Sequence, residues 1–311
     1  ACGEDQRYLE RLNVLVNVGY QIAAGPVTEL APAVTRLSKL SQYLFTPLRR
    51  LDPLRIFDVV AQIRLYKTQL VALGIDTPDD LSACWRLRFD LAQGRFILQP
   101  RRQAGRRVDA SHLTVMQTLA KVQDPSADFR TLGNIIAQDA LLSQKLLAVV
   151  NSPTYSLSRP INTIEQAVAI IGIKQLRSIL TLLTLASIPG KPPELTTLAM
   201  QRARLCELLA PVMGQPKPEV FFIAGLFSTL DALLDLPMSQ AVAGLPLAPE
   251  VVAALVEQRG PAYVAVAIAQ ALERGDWAGL AQTGLSPEFL APAFLKALRW
   301  SAEVSASIRD K

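Results

Sequence analysis

Two different hydrophobic patterns lie on either side of a short basic segment, and this change constrains the fold more than any other feature. Before the segment, short apolar runs alternate with stretches where apolar residues recur every three or four positions. After it, the spacing of three and four continues to the end of the chain. The 311 residues are therefore predicted to form two domains, residues 1–100 and 108–311, joined by a basic linker at 101–107.

The first domain is predicted to be of the α/β class. Helical spacing covers four stretches, at 4–18, 28–40, 53–66 and 77–88. Strand candidates are the short apolar runs at 20–24, 42–45, 69–73 and 91–98. Strands that alternate with helices are typical of a parallel sheet, and four such units make half of a (β/α)₈ barrel. Thr77 is the predicted N-cap of the fourth helix, because Pro78 and two aspartates follow it.

The second domain is predicted to be all-α, and the chain as a whole mostly helical. Proline and glycine separate about eleven stretches with helical spacing, including a break between residues 171 and 173. Trp277 and Trp300 are interpreted as core aromatic residues, and Asp231 as a buried carboxylate with a structural hydrogen bond.

Charge and cysteine content exclude several classes of function. The net charge is +5, but the basic residues are scattered, with dense runs only at positions 49–50 and in the linker. We interpret the linker as a solvated connection and expect no nucleic-acid partner, with nucleic-acid binding through residues 101–107 as a third, less favoured hypothesis. Cys2, Cys84 and Cys206 lie too far apart in sequence to indicate a disulfide framework or a zinc site. No uncharged apolar run of 18 residues occurs, so we expect no membrane partner and a cytoplasmic location.

Residues 113–187 resemble an HDOD domain. The resemblance rests on a D-x-x-L-S-x-K-L-L-x-x-V-N-S-P segment from Asp139 to Pro153 and on a G-x-x-x-L-R turn from Gly172 to Arg177. Residues 225–238 and 271–277 are similar to the later part of HDOD domains that follow EAL domains. The resemblance implies an HDOD domain over most of 108–311.

Residues 70–100 resemble the second half of an EAL domain, the barrel that hydrolyses cyclic di-GMP. The stretch around Leu73 and Asp76 is similar to the family's A-E-G-V-E-T motif, and Gln93 matches a family site residue. Gly25 and Pro26 stand where the family has two metal-binding aspartates. The resemblance thus implies a truncated EAL-type half-barrel, fused to the HDOD domain, that has lost its metal ligands.

These losses lead to the prediction that the chain is not an enzyme. Metal-dependent hydrolysis of a phosphodiester needs carboxylate ligands, and HD phosphohydrolases need several histidines, whereas this chain has only His112. We therefore expect no cofactor, no metal and no catalytic residue. The sequence favours a non-catalytic module that binds a partner protein in bacterial signalling; the alternative is a sensor that binds cyclic di-GMP or another nucleotide without cleaving it.

Five residues are candidate binding residues. Gln93 and Arg95 could contact a nucleotide in the first domain, and Asn151, Ser152 and Arg177 could contact a ligand in the second. Each also has a structural interpretation: Asn151 and Ser152 as groups that satisfy the backbone at a helix end, and Arg177 as a partner of Glu165. The open edges of half a barrel further predict a homodimer joined through the first hundred residues.

Overall fold

The chain forms two compact units, a sheet unit (Ala1–Gln99) and a helical unit (Pro100–Lys311). The computed structural model describes residues 6–28, 31–48, 53–100, 110–155 and 159–309. The predicted linker at 101–107, the arginine pair at 49–50 and Cys2 lie outside these residues.

The sheet unit contains four parallel strands in the order β1-β2-β3-β4. The strands are β1 (Ala23–Ala24), β2 (Tyr43–Pro47), β3 (Gln69–Leu73) and β4 (Leu91–Gln93), and the helices are α1 (Gln6–Asn17), α2 (Pro32–Leu40), α3 (Pro53–Ile63) and α4 (Pro78–Arg86). The small parallel sheet predicted from the alternating pattern is therefore confirmed, while its membership of a barrel stays a proposal.

One face of the sheet carries the core of the unit. Leu44 of β2 with Leu70 and Ala72 of β3 packs in one buried cluster with Val59 and Ile63 of α3. These strand residues occupy alternate positions, as expected when one side of the pleat faces the helices. The apolar residues that recur at helical spacing along α3, including Val59 and Ile63, form the other part of this cluster.

Two local predictions for the sheet unit have different outcomes. Thr77 caps α4 as predicted, since its side chain accepts from the backbone N–H of Asp80, whose carboxylate accepts from the N–H of Thr77.

The strand predicted over residues 91–98 is wrong in length, because β4 ends at Gln93 and a 3₁₀ turn follows at Phe96–Leu98. Gly94 turns the chain there against the backbone of Ile75, a tertiary contact that the apolar pattern does not reveal.

The helical unit contains twelve α-helices in its described residues. They are α5 (Ala110–Gln123), α6 (Phe129–Ala137), α7 (Ala140–Val150), α8 (Ile164–Ala186), α9 (Pro193–Val212), α10 (Pro218–Phe227), α11 (Leu230–Leu234), α12 (Met238–Val242), α13 (Pro249–Leu255), α14 (Pro261–Arg274), α15 (Trp277–Ala281) and α16 (Pro287–Arg309). The prediction of an all-α second part and a mostly helical chain is confirmed.

α9 lies at the centre of this unit. It packs against α10, α14, α16 and α8. Trp300 of α16 is buried and meets Phe222 of α10 edge to face, with 6.0 Å between ring centroids. The prediction that Trp277 is also a core residue is wrong: it begins the short helix α15 and is 71% exposed.

α8 is interrupted at Gly172, which has φ 76° and ψ 162° inside the helix. The break predicted between residues 171 and 173 is therefore confirmed. Among the described residues, α8 is the one helix long and apolar enough to cross a membrane by composition, and half of its most apolar window is buried. Nearly all the buried positions follow Gly172, which is the distribution of a core helix.

Candidate functional site at the carboxyl edge of the sheet

The carboxyl ends of the parallel strands bring together residues from separate parts of the sheet unit. Asp76 follows β3, Gln93 ends β4, and Arg95 lies two residues after it. Ligands of parallel α/β sheets bind outside the carboxyl ends of the strands, because loops and helix N-termini converge there. This edge therefore contains both residues predicted to bind a ligand in the first domain.

Backbone hydrogen bonds fix the two connections that form the edge. The N–H of Ile75 donates to the carbonyl of Gln93 at 3.1 Å, and the N–H of Phe96 donates to the carbonyl of Ile75 at 3.1 Å. A Cβ on Gly94 would lie 1.9 Å from the carbonyl oxygen of Ile75. The absence of a side chain at position 94 thus allows the two connections to approach closely.

Asp76 holds Arg95 by two weak contacts. Its Oδ1 lies 3.3 Å from Nε of Arg95 and accepts from the Arg95 backbone N–H at 3.4 Å. The arginine side chain is 56% exposed and the aspartate side chain 27% exposed, so water screens the pair. The guanidinium is oriented but remains accessible to an anion, and the side chain of Gln93 beside it is exposed as well.

The same edge offers a poor set of metal ligands. Asp80 is committed to the N-terminus of α4, where its carboxylate accepts from the N–H groups of Asp76 and Thr77. Gly25, which follows β1, has no room for a side chain, since a Cβ there would lie 2.7 Å from the carbonyl oxygen of Phe45. Within the described residues no three His, Cys, Asp or Glu side chains lie close enough to hold a metal ion. The described residues of this edge therefore do not fit a metal pair.

Asn151 ends α7 and holds a distant segment of chain. Its Nδ2 donates to the carbonyl of Ile161 at 2.8 Å, and its Oδ1 accepts from the N–H of Ile161 at 2.7 Å. The adjacent Ser152 is buried, and its hydroxyl has no hydrogen-bond partner among the described residues. Both residues line an open depression of about 510 Å³. Asn151 therefore has the structural role expected at a helix end, while ligand binding by either residue stays a prediction.

Arg177 lies in α8 and binds backbone carbonyls. Its Nη1 donates to the carbonyl of Asp124 at 2.5 Å and its Nη2 to that of Ala127 at 3.1 Å. These contacts replace the predicted pairing with Glu165. Burial lowers the pKa of Arg177, and the nearby Asp124 carboxylate opposes that shift. Arg177 ties α8 to the connection between α5 and α6, and it also lines a cavity.

The structure thus divides the five predicted binding residues among three places. Gln93 and Arg95 share one edge, Asn151 and Ser152 share a depression, and Arg177 stands apart. Sequence reasoning placed Asp76 in the stretch similar to the A-E-G-V-E-T motif and missed its contact with Arg95. The available signal was its position in the connection that follows β3, since such connections meet at one edge of a parallel sheet.

Comparison with known proteins identifies part of the helical unit. Residues 111–242 match the model of the HDOD domain, so the chain contains an HDOD domain. A solved structure from Shewanella amazonensis SB2B superposes on 65% of this chain and 94% of its own, with a TM-score of 0.50 and 16% identity. At that identity the likeness supports the fold alone.

Two curated relatives extend the comparison beyond that domain. Cyclic di-GMP phosphodiesterase CdgJ of Vibrio cholerae is 33% identical over 248 residues, which cover 78% of this chain and 57% of the relative. The uncharacterized protein YuxH of Bacillus subtilis is 28% identical over 218 residues, covering 68% of this chain and 53% of the relative. The chain therefore spans a little over half the length of either relative. The CdgJ match is longer than the helical unit, so it extends into the sheet unit.

The prediction of a non-catalytic module, with its alternative of a non-hydrolytic sensor, is wrong. A relative with 33% identity is named as a cyclic di-GMP phosphodiesterase, which points to an enzyme. The prediction counted metal ligands only among the residues of this chain. Since the match leaves 43% of that relative without a counterpart here, such a count does not decide the chemistry of the longer protein.

Proposed function

We propose that the chain takes part in the hydrolysis of cyclic di-GMP, and that the carboxyl edge of its sheet binds the dinucleotide. The observation that supports this most directly is the identity to CdgJ, which reaches into the sheet unit. In this proposal the sheet unit is part of an EAL-type barrel and precedes the HDOD domain. A cytoplasmic location, a signalling partner and a homodimer joined through the sheet unit remain predictions.

Arg95 is the residue that would contact a phosphodiester of the substrate. A guanidinium donates to phosphate oxygens through several N–H groups in one plane, and this one is exposed while Asp76 orients it. The exposed amide of Gln93 offers both a donor and an acceptor to a base or ribose. The net charge of +5 further favours an anionic dinucleotide. Because the edge does not fit a metal pair, these residues are assigned binding and orientation only.

The opposite edge of the same sheet provides a matched control. Arg64 lies 3.4 Å from Oδ1 of Asp90, just before β4, and its side chain is 42% exposed. It is thus an exposed arginine in a similar ion pair, but at the amino ends of the strands. A substrate that binds at the carboxyl edge would not contact it.

The test is the dissociation constant of cyclic di-GMP, measured by isothermal titration calorimetry on the purified chain. We expect saturable binding, and Arg95→Gln should raise the dissociation constant by about 10-fold or more, the effect of losing a charge-assisted hydrogen bond. Arg64→Gln should leave the dissociation constant within about twofold, because Arg64 belongs to an exposed surface pair. No binding by the unmodified chain, or an equal loss in both variants, would contradict the proposal.

A further inference from the structure

The helical unit contains a cavity that the proposed function does not use. Its volume is about 410 Å³, within the usual range for small-molecule sites. Four segments form its walls: the end of α5, the start of the buried half of α8, the first turns of α10, and the connection from Pro246 into α13. All of these segments belong to the same unit, so its shape depends on that unit alone.

Most of the lining is aliphatic. The apolar wall residues are Pro125, Ile173, Val220, Ile223, Pro246, Leu247, Ala248, Pro249 and Val251. Gly172 changes the direction of α8 immediately before Ile173, and the residues after it form one wall. An apolar ligand that binds here would bury its surface against aliphatic side chains and release the water around it.

The charged groups of the lining are compensated within the protein. Nζ of Lys174 lies 2.6 Å from Oε1 of Glu219. The guanidinium of Arg177 donates to two backbone carbonyls, and the Asp124 carboxylate lies near it. A charged ligand would have to break one of these pairs, whereas an uncharged ligand would leave them intact.

Two neutral polar side chains remain for a ligand. Ser178 is 5% exposed and lines the cavity, where its hydroxyl can donate and accept a hydrogen bond. Gln123 is also buried, and its Nε2 donates to Oγ1 of Thr181 at 2.6 Å, which leaves its amide oxygen as an acceptor. Buried polar groups of this kind are usually satisfied, so a hydrogen bond from a bound molecule fits the site.

We propose that this cavity binds a small uncharged molecule with an apolar body and a hydrogen-bonding group. The site is independent of the carboxyl edge of the sheet, so loss of either site leaves the other intact. Its ligand class follows from the volume, the aliphatic walls, the compensated charges and the two neutral polar side chains in the lining.

N-phenyl-1-naphthylamine is a suitable probe, because it is neutral, carries one N–H donor and becomes more fluorescent in apolar surroundings. We expect saturable binding to the full chain with a dissociation constant on the order of 10 μM. Its sulfonated analogue, 8-anilinonaphthalene-1-sulfonate, has the same rings and a fixed negative charge. That analogue should bind at least about 10-fold more weakly, since the charge must be desolvated without a free cation.

A cavity-filling variant locates the binding. Ala248→Trp places an indole at a partly exposed wall position and should weaken binding of the neutral dye at least about 10-fold. Ala186→Trp is the matched control, since Ala186 is also partly exposed but lines a different, more polar cavity. Circular dichroism and the Tm of each variant show whether it folds. Val220→Trp, at a wall position contributed by α10, replaces Ala248→Trp if that variant is unfolded.

Three results would overturn the proposal. They are the absence of saturable binding of the neutral dye, unchanged binding in a folded cavity-filling variant, and equal affinity for the neutral and sulfonated dyes. Binding of cyclic di-GMP at the carboxyl edge is measured separately and affects none of these readouts.

Discussion

The guanidinium of Arg202 and the carboxylate of Glu273 form a two-point ion pair that joins α9 to α14. Nε lies 2.8 Å from Oε1 and Nη2 lies 2.7 Å from Oε2. The arginine side chain is only 3% exposed, and its Nη1 also donates to Oγ of Ser228 at 3.1 Å. The central helix therefore carries a buried charge whose compensation comes from a residue 71 positions later.

Removing one partner of this pair should destabilise the protein strongly. Arg202→Met leaves a mostly buried carboxylate without its cation, so the free energy of unfolding should fall by about 3–5 kcal/mol. The double variant with Glu273→Leu should recover part of that loss, because no unpaired charge remains. Urea denaturation measures both. Lys217→Met, in an exposed pair 3.7 Å from Glu250, should cost less than about 1 kcal/mol. A double variant less stable than Arg202→Met would contradict this interpretation.

Asn151→Leu should lower the free energy of unfolding by about 2–4 kcal/mol, because it leaves the buried N–H and carbonyl of Ile161 without partners. The midpoint of denaturant unfolding reports the change. Asn162→Ala, at the exposed neighbouring position, should change stability by less than about 0.5 kcal/mol. Similar midpoints for the two variants would show that the hydrogen bonds of Asn151 contribute little.

The two described cysteines should react slowly with alkylating reagents. Burial raises the pKa of Cys84 to about 11 and that of Cys206 to about 12. At pH 8 the thiolate fractions are then about one in a thousand and one in ten thousand, and the thiolate is the reactive form. Peptide mass spectrometry after iodoacetamide treatment should find both unmodified in the native chain and both modified in urea. Rapid native labelling of either would show that its site opens.

The same shifts predict a loss of stability at alkaline pH. A thiol with a raised pKa in the folded state stays neutral where the unfolded thiol already ionises. Its stabilising effect is present below the unfolded value of about 9 and disappears as pH rises towards the folded value. Replacing Cys206 with Ala should reduce this alkaline decline in the denaturation midpoint.

Glu219→Gln should change the charge preference of the cavity in the helical unit. Burial would raise the pKa of Glu219, but its hydrogen bond from Lys174 lowers it overall, so the carboxylate is ionised at neutral pH. Without it Lys174 is uncompensated, and the sulfonated dye should bind about 3–10-fold more tightly. Fluorescence titration measures the effect, and Glu288→Gln, which neutralises an exposed glutamate in the first turn of α16, serves as the control. Equal affinities would show that the dye does not approach Lys174.

The sequence predicts the elements of this chain better than their contacts. The alternation of apolar runs and helical spacing identifies the four parallel strands, and Thr77 and Gly172 mark a helix start and a helix break correctly. These features depend on neighbouring residues, whose conformational preferences are visible in the sequence. The end of β4 is missed because Leu91–Leu98 stays apolar, although the strand stops where Gly94 meets Ile75.

The candidate sites show the same limit. Residues at the carboxyl edge can be predicted, since Gln93 ends β4 and Asp76 lies in the connection that follows β3. The cavity in the helical unit cannot, because Gln123, Ser178 and Val251 come from helices whose packing no local pattern specifies. The absence of metal ligands from the two motifs led to a wrong conclusion about function. The relative named as a phosphodiesterase is longer than the region that it shares with this chain, so the metal ligands counted in this chain do not define the chemistry of that relative.

The close approach at Gly94 also determines which sequences this edge can accept. Any side chain there would overlap the backbone of Ile75, so each substitution must separate the two connections before it can be accommodated. Asp76 and Arg95 lie directly on those connections, and their contact would be lost with the separation. A library of all substitutions at position 94 should therefore return glycine alone when selected for ligand binding, while Gln93 and Arg95 tolerate other residues in a selection for folding.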